Sequence, residues 1–196
     1  MEKREGRITR ETRETKITVG IVLDGDGGAD VATSIPFLDH MFNLLAKHAS
    51  FDLKIKSTGD REVDDHHLVE DLGICLGEAL RQALGNKEGI ARYGEALLPM
   101  DECLCSVALD LSGRPYLIFN ADFAGERVGL FEVSLLKEFF KAFSDHGGVT
   151  LHINLLYGVN SHHKAEAIFK GFARALGQAV KRKEGQKGVL STKGIL

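Results

Sequence analysis

The sequence predicts an α+β fold made of two tandem half-repeats of strands and helices that share one core, with helices packed on one face of a sheet. The first observation is a repeat. Residues 66–84 match residues 162–180 at a constant offset of 96, with both histidines, a glutamate, Ala-Leu and Gln-Ala coinciding. The second is that the match continues upstream at an offset of 98, where His48 pairs with His146 and the run Phe51-x-Leu53-x-Ile55 pairs with Val149-x-Leu151-x-Ile153. The third is size. The chain has 196 residues, so each half is too short to bury a sizeable core alone and the two must share one. Residues 1–196 are therefore expected to form one domain, built from half-repeats 1–90 and 91–196.

Each half reads as strands, helix, strand, helix. In the first, Ile17, Val19, Ile21 and Leu23 alternate as in a half-buried strand. Ser34-Ile35-Pro36 opens a helix, because proline suits a first helical position, and that helix carries Phe37, Met41, Leu44 and Leu45. The strand 51–55 follows. Asp64 and Asp65 then cap a helix over 66–84, which Gly85-Asn86 stops. In the second half, Cys105, Val107, Leu109 and Leu111 alternate, Ser112-Gly113 reads as a turn and 116–120 as a strand. Leu135, Leu136, Phe139, Phe140 and Phe143 mark a helix. The strand 149–155 and a helix over 161–181 complete the half. A weaker match at an offset of 88 pairs Glu14 with Glu102 and Gly25 with Gly113.

Composition narrows the function. Hydrophobic residues at 43% and charged residues at 27% suit a globular chain. A net charge of −3 gives no basic face for nucleic acid. No apolar run reaches the roughly 18 residues of a membrane span. The charged start Met1-Glu2-Lys3-Arg4-Glu5 does not read as a secretory signal. Three cysteines, Cys75, Cys103 and Cys105, fall in apolar helix and strand patterns, which fits a reducing cytoplasm better than a disulfide framework. Lys181-Arg182-Lys183, Lys187 and Lys193 read equally as a solvated face or an anion site.

The chemistry lies in His66-His67-Leu-Val-Glu70 and its copy His162-His163-Lys-Ala-Glu166. On a helix, positions three and four apart share a face. Each glutamate thus meets either preceding histidine. Adjacent histidines diverge by about 100°, so the pair suits two ions better than one. His40 and Glu138 occupy equivalent places in the repeat and could complete the sites from the preceding helices. The candidate ligands are His40, His66, His67, Glu70, Glu138, His162, His163 and Glu166. Nitrogen and oxygen donors without sulfur suit manganese, iron, cobalt or zinc. A polar, solvated helix start is the plain alternative. One His-His pair would favour it, but two copies at matched spacing favour metal. His48 and His146 read as structural histidines at helix ends, and His152 is given no role.

The stretches Ile35-Pro36-Phe37-Leu38-Asp39-His40-Met41, Ser57-Thr58-Gly59-Asp60, Asp64-Asp65-His66-His67, Gly147-Gly148-Val149-Thr150-Leu151-His152-Ile153, Asn160-Ser161-His162-His163-Lys164-Ala165-Glu166 and Ser191-Thr192-Lys193-Gly194 resemble the imidazoleglycerol-phosphate dehydratase family along nearly the whole chain. The resemblance implies dehydration of D-erythro-imidazole-glycerol phosphate to imidazole-acetol phosphate, in histidine biosynthesis in the cytoplasm. It also implies two manganese ions per active site, held by the histidines and glutamates above, and a shell of 24 like subunits with sites at subunit contacts. It places Glu14, Glu166 and Lys170 among the catalytic residues, with Glu14 as the acid/base. It assigns the phosphate clamp to Arg92, Arg114, Ser191 and Lys193. The chain departs from the family at Asn43-Leu44, where Asp-Gln is commoner, and some members carry histidine in place of Glu138. Two rivals remain at this point. One is a metal-dependent hydrolase, which would use more aspartates. The other is a non-enzymatic protein whose metals only join subunits.

Overall fold

The structure is a computed structural model that describes residues 3–123 and 127–195. The first two residues of the charged N-terminus and the last residue of the glycine-rich tail lie outside the described residues. The first half runs β1 (Glu5–Glu11), β2 (Thr15–Val22), β3 (Ala29–Ala32), α1 (Pro36–Ala49), β4 (Asp52–Gly59) and α2 (His66–Leu84). The second runs β5 (Tyr93–Met100), β6 (Cys103–Asp110), β7 (Tyr116–Asn120), the short pair β8 (Arg127–Val128) and β9 (Phe131–Glu132), α3 (Leu136–Gly147), β10 (Thr150–Tyr157) and α4 (Ser161–Val180).

The halves form two sheets of the same design. Their strand orders are β1-β2-β4-β3 and β5-β6-β10-β7. In each, three strands pair antiparallel and the last edge strand runs parallel to its neighbour. Alternation dictates the buried face: Ile17, Val19 and Ile21 on β2, and Cys105, Val107 and Leu109 on β6, are all at most 4% exposed. Those faces pack on helices. α2 lies on β1 and β2, and α4 lies on β5 and β6. The helices then meet across the halves, α2 on α3 and α1 on α4, so one apolar cluster draws on both sheets and all four long helices.

The repeated Ala and Gln of the helix motif have a structural reason. A Cβ on Gly6 would stand 2.0 Å from the Ala79 carbonyl oxygen, and one on Gly94 would stand 1.8 Å from that of Ala175. Each helix therefore approaches its sheet more closely than any side chain allows. Beside each glycine, a glutamine of the helix accepts from the strand backbone: Arg7 N–H donates to Gln82 Oε1 at 2.7 Å, and Glu95 N–H to Gln178 Oε1 at 2.8 Å.

Most elements begin and end within a few residues of where the pattern puts them. One cap differs. Asp64 Oδ1 accepts from His66 N–H at 2.7 Å, whereas Asp65 makes no cap bond and pairs with Arg61 at 2.6 Å. His48 and His146 sit in the last turns of α1 and α3, as expected of helix-end histidines.

Candidate active site

Three of the eight candidate ligands meet within one chain, and the crossing of the halves brings them together. α1 packs on α4, so His40 faces the second-half motif rather than the motif that follows it in sequence. His40 Nε2 lies 2.7 Å from Glu166 Oε1, and His162 Nε2 lies 3.1 Å from the same oxygen. Among the described residues, only His40, His162 and Glu166 offer three ligand atoms within 4.8 Å of one another. Lys170, one turn beyond Glu166, pairs with the other carboxylate oxygen and also reaches Met100 Sδ at 3.3 Å. Burial opposes charge on Glu166, but hydrogen bonds from Lys170, His40 and His162 outweigh it and hold the carboxyl down at about 2. Glu166 is thus ionised at neutral pH.

Local sequence positions each partner. Asn160 caps α4, its Oδ1 accepting from His162 N–H at 2.9 Å and His163 N–H at 3.3 Å. Pro36 starts α1, and Asp39 Oδ1 accepts from Thr33 N–H at 2.7 Å and Thr33 Oγ1 at 2.6 Å, which pins the helix start that carries His40.

The mirror arrangement is looser. His66 Nε2 lies 3.9 Å from Glu70 Oε2, beyond hydrogen-bond reach. Glu138 is half-buried on α3, which packs on α2, but it does not join His66 and Glu70 in a three-ligand cluster. The adjacent histidines diverge as the helix requires. Ring planes of His66 and His67 are 80° apart, and those of His162 and His163 are 84° apart. His67 Nδ1 lies 3.0 Å from Asp60 Oδ2, and His163 Nδ1 lies 2.7 Å from Glu102 Oε2. Hydrogen bonds accepted by Asp60 and Glu102 respectively raise the pKa of these two rings.

Glu14 stands in the turn between β1 and β2, with its carboxylate 3.9 Å from His67 Nδ1. That turn is fastened to α2 through Asp71, which accepts from Arg10 Nε at 2.9 Å and from Thr15 Oγ1 at 2.5 Å.

The four clamp candidates, far apart in sequence, line one open cavity with Tyr93 and Leu190. Arg92 adopts a left-handed backbone (φ 70°), and its guanidinium is already engaged. Nε and Nη2 bind Asp110 at 2.7 and 3.0 Å, and Nη1 holds the Leu190 carbonyl of the tail at 2.6 Å. Arg114 is mostly exposed and 4.0 Å from Asp110. The sequence reading missed Asp60, Glu102 and Asp110. Glu102 had a signal, its place opposite Glu14 in the repeat, and Asp60 stood in a motif stretch, but neither was given a role.

The imidazoleglycerol-phosphate dehydratase family model matches residues 33–176. The imidazoleglycerol-phosphate dehydratase of Syntrophus aciditrophicus is 59% identical over 194 residues, covering 98% of each chain. That of Acetivibrio thermocellus is 52% identical over 193 residues, covering 98% of this chain and 99% of its own. Among solved structures, the Staphylococcus aureus enzyme superposes with a TM-score of 0.82 at 40% identity, covering 91% of this chain and 99% of its own. The Pyrococcus furiosus enzyme, solved in complex with (S)-C348, gives 0.83 at 41% identity, covering 96% of this chain and all of its own. The chain belongs to the imidazoleglycerol-phosphate dehydratase family, a family of hydro-lyases.

Proposed function

We propose that the chain dehydrates D-erythro-imidazole-glycerol phosphate to imidazole-acetol phosphate with manganese bound at its histidine–glutamate motifs. The convergence of His40, His162 and ionised Glu166 carries this reading, because it is an N,N,O donor set contributed by both halves. The donor types fit a manganese-class ion. The three cysteines lie buried within α2 and β6, so sulfur is not part of the set. His66, His67, Glu70, Glu138 and His163 are the remaining ligands in this proposal. They do not close into a cluster within one chain. We therefore infer that other copies of the chain complete the sites, in the 24-subunit assembly that the family resemblance implies. No helix among the described residues is long and apolar enough to cross a membrane, and a cytoplasmic location fits the proposal.

When bound, two manganese ions would supply Lewis acidity and a template at the substrate's imidazole ring. The chain's own groups do the rest. Lys170 pairs with Glu166 and keeps it an anion ready to ligate. Glu14, exposed and without a short bond to its carboxylate among the described residues, is free to move the proton lost from carbon and to assist the departing hydroxyl. Arg114, Ser191 and Lys193 bind the phosphate. Arg92 braces that cavity by tying Asp110 to the tail, and a guanidinium fork in such a place also suits phosphate. Anchoring the remote phosphate orients the reacting carbon.

The test is to strip the purified protein of metal, restore manganese and follow imidazole-acetol phosphate. Product should appear only with metal. Glu14→Gln should slow turnover by about 10²–10⁴-fold while binding manganese as the parent does. Undiminished product from chelated protein, or full turnover by the variant, would overturn the proposal.

A further inference from the structure

The two halves hold their outer histidines in matching ways but with carboxylates from different places. His163 is held by Glu102, in the turn between β5 and β6. Its repeat equivalent, Glu14, sits in the corresponding turn between β1 and β2, yet stays 3.9 Å from His67 Nδ1. Asp60, just past the end of β4, fills that role instead, with both carboxylate oxygens at 3.0 and 3.3 Å. A carboxylate only accepts, so the hydrogen must be on Nδ1. The neutral ring then carries its lone pair on Nε2. The inner histidines behave oppositely. His40 and His162 direct Nε2 at Glu166, and His66 Nε2 is the atom nearest Glu70.

We infer that Asp60 and Glu102 are positioning residues, each fixing the tautomer and ring orientation of the second motif histidine so that Nε2 is the ligand atom it presents. The inference rests on the proposed reading of His67 and His163 as metal ligands. It also accounts for the asymmetry between the halves. Glu102 is immobilised, since it further accepts from Asn160 N–H at 2.8 Å and Val159 N–H at 3.2 Å. Because Asp60 takes over the equivalent task in the first half, Glu14 escapes that duty. The first half thus holds its outer histidine through a different carboxylate from the second, and Glu14 is left without a short bond to that ring.

Asp60 gives the cleaner test, because its carboxylate has no hydrogen bond besides that to His67 among the described residues. Manganese affinity and stoichiometry would be titrated in the assembled protein for Asp60→Ala, Asp60→Asn, His67→Ala and the Asp60→Ala/His67→Ala double variant. Loss of such an orienting partner typically weakens metal binding about 10–100-fold, and Asp60→Ala should do so. Asp60→Asn keeps an acceptor oxygen and should recover part of the loss. In the His67→Ala background, Asp60→Ala should add nothing, because its effect passes through that ring. A drop from Asp60→Ala that is equally large without His67 would show a merely structural role and overturn the inference. So would unaltered affinity in Asp60→Ala while His67→Ala binds weakly. Unaltered affinity in His67→Ala itself would instead show that the ligand reading has failed, and the positioning role would fall with it.

Discussion

Replacing Gly94 by alanine tests the repeat at its tightest point. The new Cβ would lie 1.8 Å from the Ala175 carbonyl oxygen. A close carbon–oxygen contact is about 3.3 Å, so β5 and α4 must part locally by about 1.5 Å. The obstacle is helix backbone rather than a flexible side chain. Overpacking a core typically costs about 1–3 kcal/mol, and a backbone obstacle places the expected cost at about 3 kcal/mol. Chains of this length lose about 2–4 °C per kcal/mol, which predicts a fall of about 6–12 °C in melting temperature. Gly6→Ala makes the same collision with Ala79, at 2.0 Å, and should cost a similar amount. The assay is thermal melting at fixed protein concentration, since the proposed assembly would make the midpoint concentration-dependent. A melting temperature within about 2 °C of the parent in either variant would refute the close-packing account. A large effect in one and none in the other would refute the equivalence of the halves.

Glu70→Gln and Glu166→Gln should each lose bound manganese and turnover while the far-UV spectrum of the fold survives; full activity in either would count against two metal sites. The metal-free protein should lose stability as pH rises above about 6.5. His67 and His163 have folded pKa values raised above the ordinary 6.5, so their contribution is complete below that value and disappears as pH climbs through the folded ones. Urea midpoints between acid and neutral pH would show this, and Asp60→Asn should flatten the trend; an unchanged slope in that variant would contradict it. Burial pushes the thiols of Cys75 and Cys105 up to about 12 and that of Cys103 to about 11, so none should react with a thiol reagent at neutral pH until the chain unfolds. Rapid labelling of native protein would mean that α2 or β6 opens readily.

Local periodicity carried the elements that the sequence made legible. The alternation of β2 and β6 and the helices α2 and α4 follow from apolar spacing, and the repeat implied a shared core. The edge strands β1, β3 and β5 were not legible. Their apolar signal is weak because one face is solvated, and β5 begins with the exposed Tyr93 and the packing-driven Gly94. Nor did the pattern show that the strands divide into two separate sheets. That division depends on which helices pack together, and α1 on α4 and α2 on α3 are long-range choices.

The same distinction explains which parts of the site were visible. His66, His67 and Glu70, with their copies, announce themselves because one helix sets their spacing. The partner of His40 could not be read from spacing, since Glu166 is 126 residues away and only the crossing of the halves joins them. The roles of Asp60 and Glu102 were unreadable for a further reason. These two residues hold equivalent histidines from non-equivalent positions, so self-comparison, which exposed the proposed ligands, conceals the carboxylates that hold them. The repeat assigns Glu14 to the place of Glu102, and the structure shows the two doing different things. A duplicated fold makes its ligands by symmetry, but proton transfer needs a group in one half that is not tied down. Divergence is therefore most informative where repeat-equivalent side chains keep their chemistry and change their bonds.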